Sequence, residues 1–136
     1  GGDNEYLPHN HVKNSVVYPG THDNTTITAW WESAATPKEK ATAAAYLHLT
    51  GAHPTAKEVA AVKTADARTT LLRAALGSVA DRAIIPMYDW LGLGEEAHLN
   101  TPGKLGGNWA WRAAAGFESK TLAKTIADEC SVYCRV

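Results

Sequence analysis

Two short apolar runs interrupt a chain that is otherwise mixed in polarity. Residues 15–18 read SVVY and stop at Pro19-Gly20, and residues 83–87 read AIIPM. Neither run alternates between apolar and polar positions, which is typical of strands buried on both faces of a sheet. Polar residues follow each run immediately. The pattern therefore predicts two buried strands, each leading into a polar loop.

The clearest helix signal opens at Thr36. Thr36 can accept a hydrogen bond from the backbone of Glu39, and the Glu39 side chain can return one to the cap. Pro37 suits the first helical position. We predict a helix over 36–50, ended by Gly51 in a left-handed conformation.

Other helices follow from apolar spacing and caps between and after the two runs. They are predicted as a helix opening at 27–31, a short helix at 54–62, a helix capped by Thr64, a single turn at 95–98 and a last helix at 119–134. Strands separated by helices indicate an α/β fold with parallel pairing. Two strands alone cannot cover both faces of a sheet, so we expect residues 1–136 to be a piece of a larger α/β domain.

Composition narrows the classes of function. The 136 residues match one domain, and 45% hydrophobic with 20% charged residues argues against wholesale disorder. Thirteen Lys and Arg against fourteen Asp and Glu give a net charge of −1, which argues against a nucleic-acid partner. No apolar run approaches the roughly 20 residues that span a bilayer, so no membrane partner is expected. The two cysteines cannot build a disulfide scaffold, which favours the cytoplasm.

The strongest candidate for chemistry is the sequence Thr21-His22-Asp23-Asn24, directly after the first predicted strand. In parallel α/β folds the loops beyond the carboxyl ends of strands hold the active site. A histidine beside an aspartate there suits proton transfer or hydrogen bonding to a polyhydroxyl ligand. The alternative is that Asp23 caps the following helix and His22 is simply exposed.

Five tryptophans form a second candidate feature, because four of them fall in two close pairs, Trp30/Trp31 and Trp109/Trp111. Aromatic faces pack on the apolar faces of sugar rings, and they also fill cores. Asn108 and Arg112 flank the second pair and can add directional hydrogen bonds. A carbohydrate-binding surface and a plain structural turn both fit this segment.

Two weaker alternatives concern metals and thiols. His9 and His11, with the His22-Asp23 pair, have donors for a zinc site, although the spacing is not specific. Cys130 and Cys134 lie one helical turn apart in the last predicted helix, where a shared helix face is the simpler interpretation than a metal or redox site.

Seven blocks of sequence, in order, resemble one enzyme family. They are YLPHN at 6–10, NSVVYPGTHDN at 14–24, LRAALGSVAD at 72–81, AIIPM at 83–87, LGLG at 91–94, NTPG at 100–103 and GGNWAWR at 106–112. The ordered set resembles the late-barrel segment of the 4-α-glucanotransferases, the amylomaltases or disproportionating enzymes of glycoside hydrolase family 77. The resemblance implies the C-terminal portion of a (β/α)8 TIM barrel, with the predicted strands as its last two, and residues 1–136 as part of a single catalytic domain.

The resemblance also implies a reaction. Family members transfer an α-1,4-glucan segment to the 4-hydroxyl of an acceptor glucan by a retaining double displacement. By motif, Asp23 is the third carboxylate, which stabilises the transition state, and His22 binds substrate. The nucleophilic aspartate and the acid/base glutamate belong to family segments that this sequence does not contain, so the isolated chain is expected to be inactive.

Further expectations follow from the same resemblance. Asn108 is expected to give a substrate hydrogen bond. Trp109, Trp111 and Arg112 are expected to support their loop, and Trp109 is also a candidate substrate contact. The partners are α-1,4-glucans and maltooligosaccharides, and no cofactor or metal is implied. A bacterial cytoplasm is the expected location, with a plastid homologue as the alternative. The rival function is a non-catalytic α-glucan-binding module that uses Trp30, Trp109 and Trp111.

Overall fold

The fold is built on one pair of parallel strands, seen in a computed structural model that describes residues 2–135. Strand β1 (Val16–Val17) pairs with β2 (Arg82–Ala83), with Val17 opposite Ala83. The backbone N–H of Ile84 extends the ladder by donating to the carbonyl of Val17 at 2.8 Å. The predicted parallel pairing is confirmed.

A helical crossover joins the two strands, as parallel pairing requires. Before β2 come α1 (Ile27–Ala29), a wider π turn (Trp30–Ala34), α2 (Pro37–Tyr46), α3 (Ala56–Ala61) and α4 (Thr64–Leu76). After β2 come α5 (Met87–Leu91), a 3-10 turn (Glu95–Ala97) and α6 (Lys120–Val132), and a further 3-10 turn (Pro8–Asn10) precedes β1. Within residues 2–135, none of these helices has the length and apolar character needed to cross a membrane.

Two helices begin with reciprocal caps. In the predicted box, Glu39 N–H donates to Thr36 Oγ1 at 3.3 Å and Thr36 N–H donates to Glu39 Oε2 at 2.8 Å. Thr55 and Glu58 repeat these distances at the start of α3. Such boxes satisfy backbone donors that the first helical turn leaves open. The predicted box at Thr36 is therefore confirmed, and the second was present in the sequence as the same Thr-x-x-Glu spacing.

Helix α4 lies at the centre of the packing. Its Ala75 packs with Val17 of β1 and with Ala80, and its Ala67 packs with Trp31 and Ala44. Small side chains let these elements approach closely, so α4 joins the strand pair on one side to the π turn and α2 on the other. The core is divided into these two clusters.

The predicted end of α2 is wrong. The helix ends at Tyr46, because His48 takes the left-handed conformation (φ 57°) that we assigned to Gly51. Leu49 N–H then turns back to donate to the carbonyl of Ala44 at 2.9 Å. This closure satisfies a carbonyl that the helix end would leave open.

Two other terminal predictions need correction. Thr64 is the first residue of α4 and Lys63 is its N-cap, because the Thr64 hydroxyl donates to Glu32 Oε1 at 3.1 Å. Helix α6 ends at Val132, so Cys134 lies beyond it with φ 53°. Cys130 and Cys134 are both free thiols and do not share a helix face.

The second strand is shorter than predicted. Only Arg82–Ala83 forms the regular pair, and the predicted strand over 83–87 is wrong at its end, because Pro86 is the N-cap of α5 and Met87 is its first residue. Pro86 has no N–H to donate to a sheet, and its φ of −59° suits a helix start. The loop that we placed after this strand therefore begins with a helix.

The strands are also not buried on both faces. Val17 is buried, whereas Val16, Tyr18 and Ile84 are exposed. Helix α4 packs on the Val17 side, and in the part of the chain that the structure describes Val16, Tyr18 and Ile84 are each about half exposed. The parallel α/β arrangement is as predicted, but apolar side chains that suit a sheet interior face outward here.

Helix α6 is held against α4 by two arginines. Arg73 of α4 binds both carboxylate oxygens of Glu129, at 2.9 and 2.7 Å, which lowers the pKa of Glu129. Arg135 lies just after α6 and donates to three backbone carbonyls at and beyond the end of α4. They are those of Leu76, Ser78 and Ala80, at 2.6, 2.7 and 2.9 Å. Planar guanidinium groups suit such multiple contacts.

We expect the substitution Arg135→Ala to loosen α6 while leaving α4 ordered. The change leaves three carbonyls without their donor, and hydrogen bonds to charged groups are worth about 1.5–3 kcal/mol. Hydrogen–deuterium exchange should therefore accelerate in α6 by at least about tenfold and remain unchanged in α4. Arg82→Ala, at an exposed arginine, is the control. Equal protection of α6 in both variants would contradict this role of Arg135.

Candidate functional site

The His22-Asp23 pair lies in the loop of residues 21–25, which connects the carboxyl end of the β1 segment to α1. The next residue is Thr26, whose buried hydroxyl accepts a hydrogen bond from Ala29 N–H at 3.1 Å. Thr26 is thus the N-cap of α1, and the alternative that Asp23 caps this helix is wrong. The Asp23 side chain is left available for other contacts.

A buried carboxylate fixes the point where the 21–25 loop meets α1. Asp89 of α5 is 2% exposed, and its Oδ1 accepts a hydrogen bond from Ile27 N–H at 2.9 Å. Burial raises the pKa of Asp89, and the Ile27 bond and the charge of Arg68 oppose that rise. Because the pKa of Asp89 is raised in the folded state, the contribution of Asp89 to the free energy of unfolding falls as the pH rises above the ordinary pKa of an aspartate.

Asp23 itself faces solvent beside two polar neighbours. Its Oδ1 lies 3.3 Å from His22 Nε2 and accepts from Asn100 Nδ2 at 2.5 Å. The side chains of His22 and Asp23 are 51% and 46% exposed. Among residues 2–135 both contacts fall on Oδ1, so Oδ2 is left to accept hydrogen bonds from a ligand.

Trp109 packs beside the ring of His22. The two ring centroids are 4.9 Å apart and the rings are tilted by 41°. Trp109 is 53% exposed and its backbone is left-handed, with φ 61°. A bulky residue in this conformation stores strain, and such strain clusters at functional sites. The exposed indole ring of Trp109 therefore provides an apolar surface next to the polar side chains of His22 and Asp23.

Trp111 and Arg112 both support this loop, in line with the expectation from the family resemblance. Trp111 packs edge-on against the buried ring of Tyr88, with centroids 6.0 Å apart. Arg112 Nη1 donates to the carbonyls of Trp109 and Trp111 at 3.0 and 2.8 Å. These contacts fix the backbone on both sides of residue 110.

Asn108 is engaged within its own loop. Its Oδ1 accepts from Thr101 N–H at 3.0 Å and its Nδ2 donates to the Lys104 carbonyl at 2.9 Å. The amide therefore closes the glycine-rich turn between residues 101 and 108. Its predicted contact with substrate stays a prediction.

Three residues that the sequence analysis did not single out hold the 21–25 loop: Glu95, His98 and Asn100. We refer to residues 95–100 as the clamp segment. Asn100 N–H donates to the His22 carbonyl at 3.1 Å, His98 Nε2 lies 3.3 Å from the Asp23 carbonyl, and Glu95 accepts from the Thr25 hydroxyl. No sequence signal marks these contacts, because their partners lie 70 to 78 residues away.

The carboxylate of Glu95 responds to these contacts. Hydrogen bonds from Thr25 and then from His98 lower the pKa of Glu95. A lowered pKa means that the ionised carboxylate contributes stability at pH values above its ordinary pKa, and that this contribution is lost as the pH falls through the lowered value. The clamp segment therefore works with Glu95 ionised.

The histidines of the zinc hypothesis do not converge. His9 binds the Tyr46 hydroxyl at 2.8 Å, and His11 lies 2.6 Å from Ser78 Oγ. His22 instead contacts Trp109. In the part of the chain that the structure describes, no group of three histidine, cysteine or acidic side chains is arranged to hold a metal ion.

The tryptophans separate in the same way. Trp31 is buried, Trp30 packs against it with centroids 6.1 Å apart, and Trp111 is half-buried against Tyr88. Of the three tryptophans assigned to the binding-module alternative, only Trp109 is more than half exposed. Trp109 is therefore the tryptophan of this set whose ring is most available to a ligand.

Comparisons with known proteins identify the family. A sequence model described as 4-alpha-glucanotransferase matches residues 1–118. The chain is 41% identical over 139 residues to the chloroplastic/amyloplastic 4-alpha-glucanotransferase of Arabidopsis thaliana, with 100% of this chain and 22% of that protein covered. It is 44% identical over 118 residues to the 4-alpha-glucanotransferase of Thermus thermophilus, covering 85% of this chain and 22% of that protein.

A solved structure agrees with the sequence comparisons. The amylomaltase of Streptococcus agalactiae, determined in complex with acarbose, matches with a TM-score of 0.80 and 28% identity over 98% of this chain and 24% of its own. The parallel strands and the helical crossover between them place the chain in the α/β class. Within that class, this chain belongs to the 4-alpha-glucanotransferase family. It spans about a fifth of the length of the relatives it matches.

We expect Asn108→Ala to loosen the turn that carries Trp109. The substitution removes the acceptor of Thr101 N–H, and a net hydrogen bond is worth about 0.5–1.5 kcal/mol, so exchange of that amide should accelerate about 2- to 10-fold. Asn14→Ala, in the exposed segment before β1, is the matched control. Unchanged exchange at Thr101 in the Asn108 variant would show that the amide does not hold this turn.

Proposed function

We propose that this chain is the C-terminal part of the single catalytic domain of a 4-α-glucanotransferase, within a (β/α)8 barrel whose last two strands are β1 and β2. Support comes from the parallel pair with its helical crossover and from the outward-facing apolar side chains of Val16 and Tyr18. Neighbouring barrel strands would cover that face. The likeness to an amylomaltase over 98% of the chain agrees with this placement.

The whole enzyme would transfer an α-1,4-glucan segment to the 4-hydroxyl of an acceptor glucan or glucose. The nucleophile and the acid/base come from outside these 136 residues. The names of the relatives support this reaction, and acarbose in the amylomaltase structure is a mimic of a maltooligosaccharide, which supports glucan substrates. In a retaining mechanism the covalent glycosyl intermediate is resolved by the acceptor hydroxyl.

Asp23 would stabilise the transition state of that reaction. The observation that carries this assignment is its position: an exposed carboxylate beyond a parallel strand, with Oδ1 fixed by Asn100 and Oδ2 left for a ligand. Sugar hydroxyls become better donors as the ring flattens and gains positive charge. A carboxylate that accepts from them binds the transition state more tightly than the ground state, which lowers the barrier.

The neighbours of Asp23 suit the rest of a sugar ring. His22 can donate to a hydroxyl, and the exposed face of Trp109 beside it can pack on the apolar face of a pyranose. Asn108 retains one lone pair on Oδ1 and one hydrogen on Nδ2 after its contacts within the loop. A substrate hydrogen bond from Asn108 is therefore compatible with its supporting role.

We place the enzyme in the cytoplasm of a bacterium or in a plastid. The matched relatives include bacterial enzymes and plant enzymes named as chloroplastic or amyloplastic. The reaction as proposed uses no organic cofactor, and its partners are α-1,4-glucans.

We expect Asp23→Asn in the full-length protein to abolish most transfer while leaving glucan binding nearly intact. The amide keeps the shape but loses the charge, and removing a preorganised transition-state contact costs about 10²–10³-fold in kcat. Glucose release from maltotriose measures kcat and KM. Asp128→Asn, at an exposed carboxylate on α6 that binds Lys124, is the matched control and should behave as wild type.

Equal kcat values for Asp23→Asn and Asp128→Asn would contradict the proposed role of Asp23. A full-length protein that binds maltoheptaose but releases no glucose from maltotriose in any form would favour the non-catalytic binding module instead.

A further inference from the structure

The imidazole of His98 bridges the clamp segment and the backbone of Asp23. Its Nδ1 lies 2.9 Å from Glu95 Oε1, and its Nε2 lies 3.3 Å from the carbonyl oxygen of Asp23. The side chain is only 13% exposed. His98 is therefore enclosed between two oxygens that belong to different segments of the chain.

Both partners of this imidazole are hydrogen-bond acceptors. A backbone carbonyl has no hydrogen to donate, and an ionised carboxylate only accepts. A neutral imidazole carries one N–H and can make one of the two bonds, whereas the protonated form carries two and makes both. Both contacts can therefore be hydrogen bonds at the same time only when both ring nitrogens carry a hydrogen.

The Glu95 side of the bridge is itself anchored. Its Oε2 accepts from the hydroxyl of Thr25, two residues after Asp23, while its Oε1 faces His98. The hydrogen bonds from Thr25 and His98 lower the pKa of Glu95, which favours the ionised carboxylate beside the His98 ring. The Glu95 carboxylate therefore contacts Thr25 directly and is linked to the backbone of Asp23 through His98.

We propose that protonated His98 is a positioning residue for Asp23, holding the backbone of that residue from one side while Asn100 holds its carboxylate from the other. His98 touches no reacting atom and acts only through the orientation of Asp23. This inference rests on the proposed role of Asp23 in catalysis. It predicts that loss of the second N–H of His98 lets the 21–25 loop shift, and displacement of a catalytic group by about 1 Å can cost 10²-fold in rate.

Three titratable groups face or adjoin this imidazole in the described structure. Glu95 lies on the clamp segment, and Asp23 and His22 lie on the 21–25 loop, with the Asp23 carboxylate directed to Asn100 and His22. All three are retained when His98 alone is replaced. A comparison between His98 variants therefore separates its protonation from theirs.

Two substitutions in the full-length protein test the proposal. His98→Arg keeps donors for both oxygens and a permanent charge, so it should transfer glucan at a rate within about threefold of wild type. His98→Gln offers a single amide NH2 and no charge, so its kcat should fall about 10- to 100-fold with a smaller change in KM. His53→Gln, at an exposed histidine between α2 and α3, is the control and should behave as wild type.

The pH profile gives a readout that a purely structural role would not move. Wild-type kcat should decline as the imidazole loses its proton, whereas His98→Arg cannot lose that charge and should keep its activity to higher pH. The ratio of the His98→Arg rate to the wild-type rate should therefore rise with pH. A constant ratio would overturn the proposal even if His98→Gln proved unable to fold.

The remaining outcomes separate this inference from the proposed function. If Asp23→Asn is inactive and His98→Gln matches wild type in kcat and pH profile, His98 does not position Asp23 but the role of Asp23 stands. If Asp23→Asn is fully active, the proposed function fails and the inference fails with it. Impairment of His98→Arg to the level of His98→Gln would also overturn it, because the donors would then not be what matters.

Discussion

The position of Asp23 depends on ordering an exposed loop that has no contact with the apolar core. The 21–25 loop presents His22 and Asp23 to solvent, so no core contact orders them, and fixing one residue's backbone costs about 1–2 kcal/mol. Hydrogen bonds from the clamp segment meet this cost at successive points along the loop: the His22 carbonyl, both the carboxylate and the carbonyl of Asp23, and the Thr25 hydroxyl. Each bond is modest, but together they restrain the loop at four points.

The segment from α5 through the clamp segment contacts both the 21–25 loop and the start of α1. Helix α5 provides Asp89, which binds Ile27 N–H where the loop enters α1, and the clamp segment that follows α5 grips the loop itself. Arg68 of α4 joins this stretch to the core by donating to the carbonyls of Asp89 and Trp90 at 2.9 and 3.0 Å. The position of Asp23 therefore follows from the packing of α4 through hydrogen bonds rather than through apolar contacts. Burial disfavours the charged form of Asp89 and raises its pKa, so the hydrogen bond to Ile27 forms at the expense of desolvating this carboxylate.

Sequence patterns predicted what is local and missed what is distant. The Thr36 capping box and the His22-Asp23 loop are set by neighbours in the chain, and both are found where the pattern placed them. The parallel pairing was also predicted, but β2 begins one residue before the apolar run and ends well inside it. The early end of α2 depends on a left-handed His48, which the glycine rule does not anticipate. The Asn100 and His98 contacts join residues 77 and 75 positions apart, so no spacing rule reveals them. Burial of both strand faces was predicted from apolar runs, but burial also needs neighbours, and within the described residues only one face of β1 has them.

The central claim is that the clamp segment fixes Asp23 so that its free oxygen meets a sugar. A crystal structure of the full-length protein with a bound maltooligosaccharide tests it directly. The account predicts Oδ2 of Asp23 within about 3 Å of a sugar hydroxyl, with Asn100 still on Oδ1 and His98 still on the Asp23 carbonyl. A sugar bound in the catalytic cleft with Asp23 turned away from it, or with the Asn100 and His98 contacts broken, would contradict the claim.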